Sequence, residues 1–430
     1  MNKVVRSSKH SLCFTNVEKL NKYSEFVSEY RRVAYLYLDY LWDNGWNWES
    51  KDKQFILDIA NDKLDHPRWV NKEINEKINL QTTLSARALK CCIDQVCGII
   101  GSSLEKRRRI LYRISKLKSE NKPTLNLEKK LQPIAKPYIF NINPELNSIC
   151  CDFQSEDLKF FNGFFQLKSI GKSFGKIRIP IKFHRGSNKW NSKCRMMTSF
   201  SLSNKNLTIR WENIAPEKKT KGIIVGADQG MKDVLTLSNE SVTKKINNHG
   251  HSLESVIEIL ERKKKGSKAF HKTQEHRKNI INWSINSLNF GNIKEIRLEK
   301  IVNIGYGKKR SRKMSHWTNT LIRDKVISTC ENLGVLVIQQ DAIYRSQRCS
   351  SCGQVRKANR KGKTYLCKNC GLKIDSDLNA AKNHEQDLPK IPFELRRLRK
   401  NLGEGFLWKP NGFFEMTGEE FTVSLSKNEH

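Results

Sequence analysis

No apolar run in this 430-residue sequence approaches the roughly 20 residues that a membrane-spanning helix needs, so an integral helical membrane protein is not expected. The opening residues, MNKVVRSSKHSLCF, contain no apolar core followed by a small-residue cleavage site. A cytoplasmic protein is the expectation, lying on the nucleoid when DNA is bound. There is no GxxxxGK[ST] loop and no Gly-rich dinucleotide turn, which leaves NTP hydrolysis and Rossmann chemistry without support. Internal repeats are also missing. Of the 12 cysteines, Cys13, Cys91, Cys92, Cys97, Cys150, Cys151, Cys194 and Cys330 have no framework spacing and read as reduced thiols packed as small hydrophobes.

Acidic residues are the marked shortage. Against 79 Lys and Arg there are 44 Asp and Glu, a formal charge of +35. Such an excess repels itself unless a polyanion offsets it, and nucleic acid is the expected partner. The basic residues are spread along the chain, including Lys106–Arg109, Lys263–Lys265 and Lys308–Lys313, so one membrane-surface helix would not account for them. Taken singly, each run could equally be a solvated face or a localisation signal. No membrane partner is expected.

Three textures follow one another. Residues 16–145 read as a helical, basic module: Val17, Leu20, Val27, Tyr30, Val33, Tyr37, Leu38 and Leu41 recur at helical spacing, and a second helix is expected from about Thr83 to Ser119. From 150 to 215 the pattern turns to short strands and a barrel-like β module. Asn162-Gly163 between aromatic pairs predicts a hairpin turn, and KIRIPIKF and LTIRW alternate. Those aromatics serve either a core or a nucleic-acid-facing sheet. After Pro216, strands GIIVGAD and KDVLTL, helical stretches over 252–288 and 317–332, and strands IKEIRLE and GVLVIQQ describe an α/β domain of RNase H type among other α/β possibilities. The Trp42, Trp46 and Trp48 cluster reads as helix-end core. Histidines such as His249 and His251 have no ligand partner at metal-binding spacing in the sequence.

Two motif sets carry chemistry. Cys349-x2-Cys352 and Cys367-x2-Cys370, fourteen residues apart, form two knuckles with Gly353 and Gly371 at the bends, the pattern of one structural Zn²⁺. Four thiolates leave no open position for catalysis. The ribbon either presents Arg356, Lys357, Arg360 and Lys361 to nucleic acid or serves as a folding staple. The second set is acidic: Asp228 at the end of a strand in GADQG, Glu299 at the end of IKEIRLE, and Asp377 at a helix start, with Asp375 beside it. Meeting in space, these three would offer hard oxygen ligands for Mg²⁺ or Mn²⁺ and suit two-metal phosphodiester hydrolysis.

GADQG, the strand ending in Glu299, Ser346-Gln347-Arg348-Cys349-Ser350-Ser351-Cys352-Gly353 and Asp377-x-Asn379-Ala380-Ala381-x-Asn383, in that order, resemble the TnpB family of RNA-guided nucleases and the compact type V CRISPR effectors. The resemblance covers about 220–385, and a ribbon placed just before the third acidic motif is what makes it specific. It implies a multidomain α+β protein. Residues 1–15 with 146–218 would form a wedge-like β-barrel that grips guide RNA, and 16–145 a helical recognition domain. Residues 219–345 and 373–390 would form a RuvC-like (RNase H-fold) nuclease domain, with the zinc ribbon at 346–372 and a tail at 391–430. Asp228, Glu299 and Asp377 would hold two Mg²⁺ or Mn²⁺ ions, and Arg360 would stabilise the scissile phosphate of target DNA. Ala227 and Gln229 depart from the commoner aliphatic residues, which bears on subfamily and removes no acid. An RNA-guided DNA endonuclease is the implied activity. A guide-dependent, non-cleaving DNA-binding repressor, a transposon-associated accessory protein, and a homodimer sharing one guide RNA stay open.

Overall fold

The computed structural model describes residues 3–44, 72, 74–121, 123–131, 136–156, 160–301, 312–392, 395 and 405–417. Trp46 and Trp48, and the greater part of the basic run at 308–313, lie outside them. Contacts divide the chain into two compact units, Met1–Ile214 and Ala215–His430. None of the described helices is long and apolar enough to cross a membrane.

In the first unit β1 (Lys3–Ser11) is followed by helices α1 (Val17–Asn44), α2 (Ala86–Ser119) and α3 (Leu125–Leu131). Next come β2 (Glu145–Leu146), β3 (Cys151–Ser155), β4 (Gly163–Leu167), β5 (Ile177–Ile181), α4 (Arg185–Asn191), β6 (Arg195–Leu202) and β7 (Asn206–Ile214). The strands form two sheets, β1-β7-β6-β2 and β3-β4-β5. β1 pairs antiparallel with β7 from Lys3↔Ile214 to Ser11↔Asn206.

The periodic residues of α1 behave as their spacing requires. Val27, Tyr30, Val33, Tyr37, Leu38 and Leu41 are buried, and only Val17, in the first turn, is left in solvent. α2 begins at Ser85, whose hydroxyl accepts from the Ala88 N–H, and buries Ala88, Cys92, Val96 and Ile100 before its basic half leaves the core with Leu111 and Tyr112 exposed. Both helices share one apolar core with Phe165, Phe200 and Trp211 of the sheets. Trp211 adds a polar tie: its indole donates to Ser8 Oγ at 2.7 Å, and Ser8 Oγ lies 2.8 Å from His10 Nε2.

The expected hairpin exists, but Asn162-Gly163 is not its turn. β3 pairs with β4 as Ser155↔Gly163, which makes Gly163 the first residue of a strand. Its φ of +146° and the 2.2 Å that would separate a Cβ from the Gln154 carbonyl explain the glycine, while Asn162 Oδ1 accepts from the Phe183 N–H at 2.7 Å. The dipeptide ends a longer loop.

The second unit contains β8 (Ile223–Gln229), β9 (Leu235–Leu237), α5 (Leu253–Arg262), α6 (Lys268–Asn286), β10 (Ile293–Lys300), α7 (Arg312–His316), α8 (Asn319–Leu333) and β11 (Leu336–Asp341). The sheet order is β11-β10-β8-β9, with β8, β10 and β11 mutually parallel and β9 the antiparallel edge of a hairpin. The helical stretches expected over 252–288 are two helices, α5 and α6. Gly266 at φ +84° turns the chain, and Ser252 and Ser267 cap the new starts.

After β11 come β12 (Gln354–Val355), β13 (Arg360–Lys361), β14 (Thr364–Leu366) and β15 (Lys373–Asp375), then α9 (Ser376–Glu385) and the tail hairpin β16 (Phe406–Lys409) and β17 (Gly412–Phe414). β13-β14-β15 form one small sheet and β12-β16-β17 another, so the tail supplies two strands beside the first cysteine knuckle. α9 lies against β8 at Gly226, where a Cβ would stand 2.0 Å from the Ala381 carbonyl oxygen and 2.3 Å from the Glu385 nitrogen. Gly226→Ala should therefore push α9 off the sheet, lowering stability by about 1–3 kcal/mol or more, read as a lower midpoint of thermal unfolding.

Candidate active site

Parallel strands end together, and the side chains at their ends converge. Asp228 is the penultimate residue of β8 and Glu299 that of β10, its neighbour in the sheet. Gln229 braces the pair of strands by donating from Nε2 to the Glu299 carbonyl at 3.1 Å. A carboxylate oxygen from each acid and one ring nitrogen of His384, in the last turn of α9, all lie within 4.8 Å of one another. His384 was not recognisable in sequence, where no partner stands near it. Its signal is the i, i+7 spacing from Asp377, which puts both on one face of α9 with Ala380 and Ala381 between them.

The electrostatics of this cluster follow from burial. Loss of solvent, with the Glu299 and Asp377 charges nearby, pushes the Asp228 carboxyl well above the ordinary range, while Arg360 and Lys363 pull it down. Burial raises Glu299 to about 7 against the Arg360 charge. Burial also keeps His384 neutral, lowering it to about 3 with help from the Arg345 charge. A buried acid, a half-buried acid and a neutral imidazole form a donor set that a divalent cation fits, because the cation relieves the like-charge repulsion and replaces lost hydration. A cation must displace protons, so Mg²⁺ binding followed by calorimetric titration should strengthen as pH rises through about 7. With no cation the sign reverses: an acid whose folded pKa is raised contributes stability at low pH and loses it as pH rises through about 7.

Asp377 is near enough for its charge to raise Asp228 but is not one of the three clustered donors. Its Oδ1 accepts from Arg360 at 3.2 Å, and Lys363 donates to its Oδ2. Lys363 also donates to Asp233 at 2.6 Å, and Lys245 lies 3.1 Å from the same carboxylate. Lys363 and the buried Asp233 were not singled out in the sequence, since neither belongs to a spaced motif. Asp375 has a different task. It caps α9, accepting from the Asp377 N–H at 2.9 Å and the Leu378 N–H at 3.1 Å.

The cysteine knuckles close around one point. All four Sγ atoms lie within 4.8 Å of one another, with 3.6 Å between Cys349 and Cys370 and between Cys352 and Cys367. A tetrahedral zinc with Zn–S near 2.3 Å places sulfurs about 3.8 Å apart, and a disulfide about 2 Å, so the geometry fits the metal. Gly353 and Gly371 take φ +85° and +75° at the bends. Burial alone would raise the Cys370 thiol, but the Leu372 N–H and the neighbouring sulfurs bring it to about 7. Asn379 and Asn383 anchor the ribbon to α9: Asn383 Nδ2 donates to the Arg348 carbonyl at 2.7 Å, and Asn379 Oδ1 accepts from the Ser350 N–H at 3.0 Å.

A family model described as the TNB domain of Cas12f1-like proteins matches residues 321–384, the segment from α8 through the ribbon to His384. That segment is similar to the corresponding part of the TnpB-like, compact type V effectors. The CRISPR-associated endodeoxyribonuclease Cas12f1 of Sulfoacidibacillus thermotolerans is 34% identical over 137 residues, 31% of this chain and 31% of that protein. The Cas12f1 of Syntrophomonas palmitatica is 28% identical over 125 residues, 28% of this chain and 24% of that protein. The aligned segments thus span less than a third of either relative. A solved structure of CasPhi-2 (Cas12j) bound to crRNA and phosphorothioate-DNA has a TM-score of 0.53 at 10% identity, covering 90% of this chain and 93% of that one, a likeness of fold. Within the multidomain α+β architecture the matched segment starts in α8 and runs through β11 and the ribbon into α9.

Proposed function

We propose that this chain is a guide-RNA-directed DNA endonuclease that cuts at the centre formed by Asp228, Glu299 and Asp377. The observation that carries this is the meeting of buried Asp228 and half-buried Glu299 at adjacent parallel strand ends, with the charge of Asp377 on α9 near enough to raise Asp228 and itself paired with Arg360 of the ribbon. Two divalent ions would supply an activated water and neutralise charge on the phosphate. The chain's own work is positional. Asp228 and Glu299 are fixed by the sheet, and Asp377 by a capped helix. Arg360 and Lys363 hold Asp377 until a phosphate and cations compete for those contacts, whereupon Arg360 meets the charge developing on the scissile group.

Guide RNA is assigned to the first unit. Support comes from its basic α2 and from a cavity of about 1110 Å³ whose wall includes Arg87, Lys90 and Lys168. With a formal charge of +35, RNA binding should weaken steeply with salt, a log–log slope of about −0.7 to −0.9 for each phosphate neutralised. Filter binding across a salt series measures it, and a flat response would exclude this use of the charge.

The deciding experiment sequences RNA that co-purifies with the chain, then offers a plasmid matched to its guide with Mg²⁺. Cutting supports the endonuclease. Retention of the plasmid without cutting in Mg²⁺ or Mn²⁺ establishes the repressor reading, and absence of any bound RNA removes both. The mass of the complex reads whether two copies share one guide.

A further inference from the structure

Among the described residues, His384 is the one histidine with a ring nitrogen within 4.8 Å of carboxylate oxygens of both buried Asp228 and half-buried Glu299. It is 1% exposed, and its Nδ1 has no hydrogen-bond partner. A buried, unpaired ring nitrogen costs about 1–3 kcal/mol, and native structures rarely leave one without a purpose. An ordinary core histidine donates from one nitrogen to a carbonyl and packs its ring. This ring instead sits beside Asp228 and Glu299, carried there by a helix that Gly226 and the small Ala380 and Ala381 allow close to β8.

We propose that His384 is a direct ligand of the cation held by Asp228 and Glu299, giving this centre one nitrogen and two carboxylate donors. The inference rests on the nuclease reading of that site. It also changes what the site prefers. Mg²⁺ favours oxygen donors, while imidazole favours the transition cations, so Mn²⁺ and Co²⁺ bind this centre more tightly than Mg²⁺ does. Asp377, tied to Arg360 and Lys363, stands outside this cluster of three donors.

The experiment uses the full chain with zinc in its ribbon and Mn²⁺ as the probe. Pulsed electron paramagnetic resonance reads nuclei coordinated to bound Mn²⁺. Wild type should show ¹⁴N modulation, which becomes the ¹⁵N pattern when the protein is grown on ¹⁵N-histidine. His384→Gln should lose the nitrogen signal and bind Mn²⁺ about 10-fold or more weakly, while its Mg²⁺ affinity changes less. Asp228→Asn should abolish the site in either background.

Mn²⁺ that depends on Asp228 but shows no nitrogen modulation overturns the proposal and leaves the nuclease centre standing. Modulation that persists in His384→Gln does the same. Mn²⁺ binding indifferent to Asp228→Asn removes the centre itself. Should His384→Gln fail to fold, the isotope exchange in wild type still decides, because His384 is the candidate nitrogen at that site among the described residues.

Discussion

Plasmid cleavage is expected to fall by about 10³-fold or more when Asp228 or Asp377 is replaced by Ala, with target retention unchanged. The two effects separate because the acids and the basic surface do different work. Asp228 is buried beside Glu299 and holds its place through β8, so removing it takes away a ligand without loosening the sheet. Removing an acid from a chain with a formal charge of +35 does not weaken its attraction for phosphate. Glu299→Ala should behave like Asp228→Ala. Arg360→Ala should slow cutting less completely, by about 10²–10³, the worth of one well-placed donor. Cleavage of guide-matched plasmid beside a gel shift checks the set. Wild-type cutting by Asp228→Ala and Asp377→Ala would place the chemistry elsewhere.

Loss of zinc should disable the same chemistry from a distance. Elemental analysis should find one zinc per chain, absent when Cys367 and Cys370 are both Ser. Structural zinc is worth about 10–16 kcal/mol to a small metal domain, far more than the apolar core around Tyr365 can supply unaided. β13, β14 and β15 would then lose their order, and with them Arg360 and Lys363. Asp375 is at once the last residue of β15 and the cap of α9, so the start of the helix carrying Asp377 would fray. Cleavage should fall with the zinc, while guide binding by the first unit persists. A zinc-free variant that cuts normally would contradict the ribbon's role.

The parts legible in the sequence were those with a period or a spacing. α1 buries most of the residues its three- and four-residue steps selected, β8 and β10 carry their acids one residue from the end, where an apolar strand and an alternating one pointed, and two CxxC pairs imply a tetrahedron whatever the loop between them does. Contacts that depend on the fold were not legible. Lys363 reaches Asp233 across 130 positions, and His384 finds Asp228 only because a glycine lets two backbones touch. The Asn162-Gly163 misreading has the same origin: the dipeptide's local preference for a turn yields to strand pairing, which uses the glycine for close approach.

Arg348 lies under the first knuckle, fully enclosed, with Nε donating to the Trp408 carbonyl at 2.7 Å and the Asn383 side chain taking another of its N–H groups. Desolvation lowers its pKa to about 10, so it stays charged at neutral pH and depends on those acceptors. One of them arrives from the tail, long after the cysteines in chain order. A chain still being synthesised can therefore fill its zinc site before it can seat this arginine. Shortening the protein ahead of Phe406 would strand a buried charge beside the knuckle, and a trimmed version would need an apolar residue at position 348 to keep the ribbon closed.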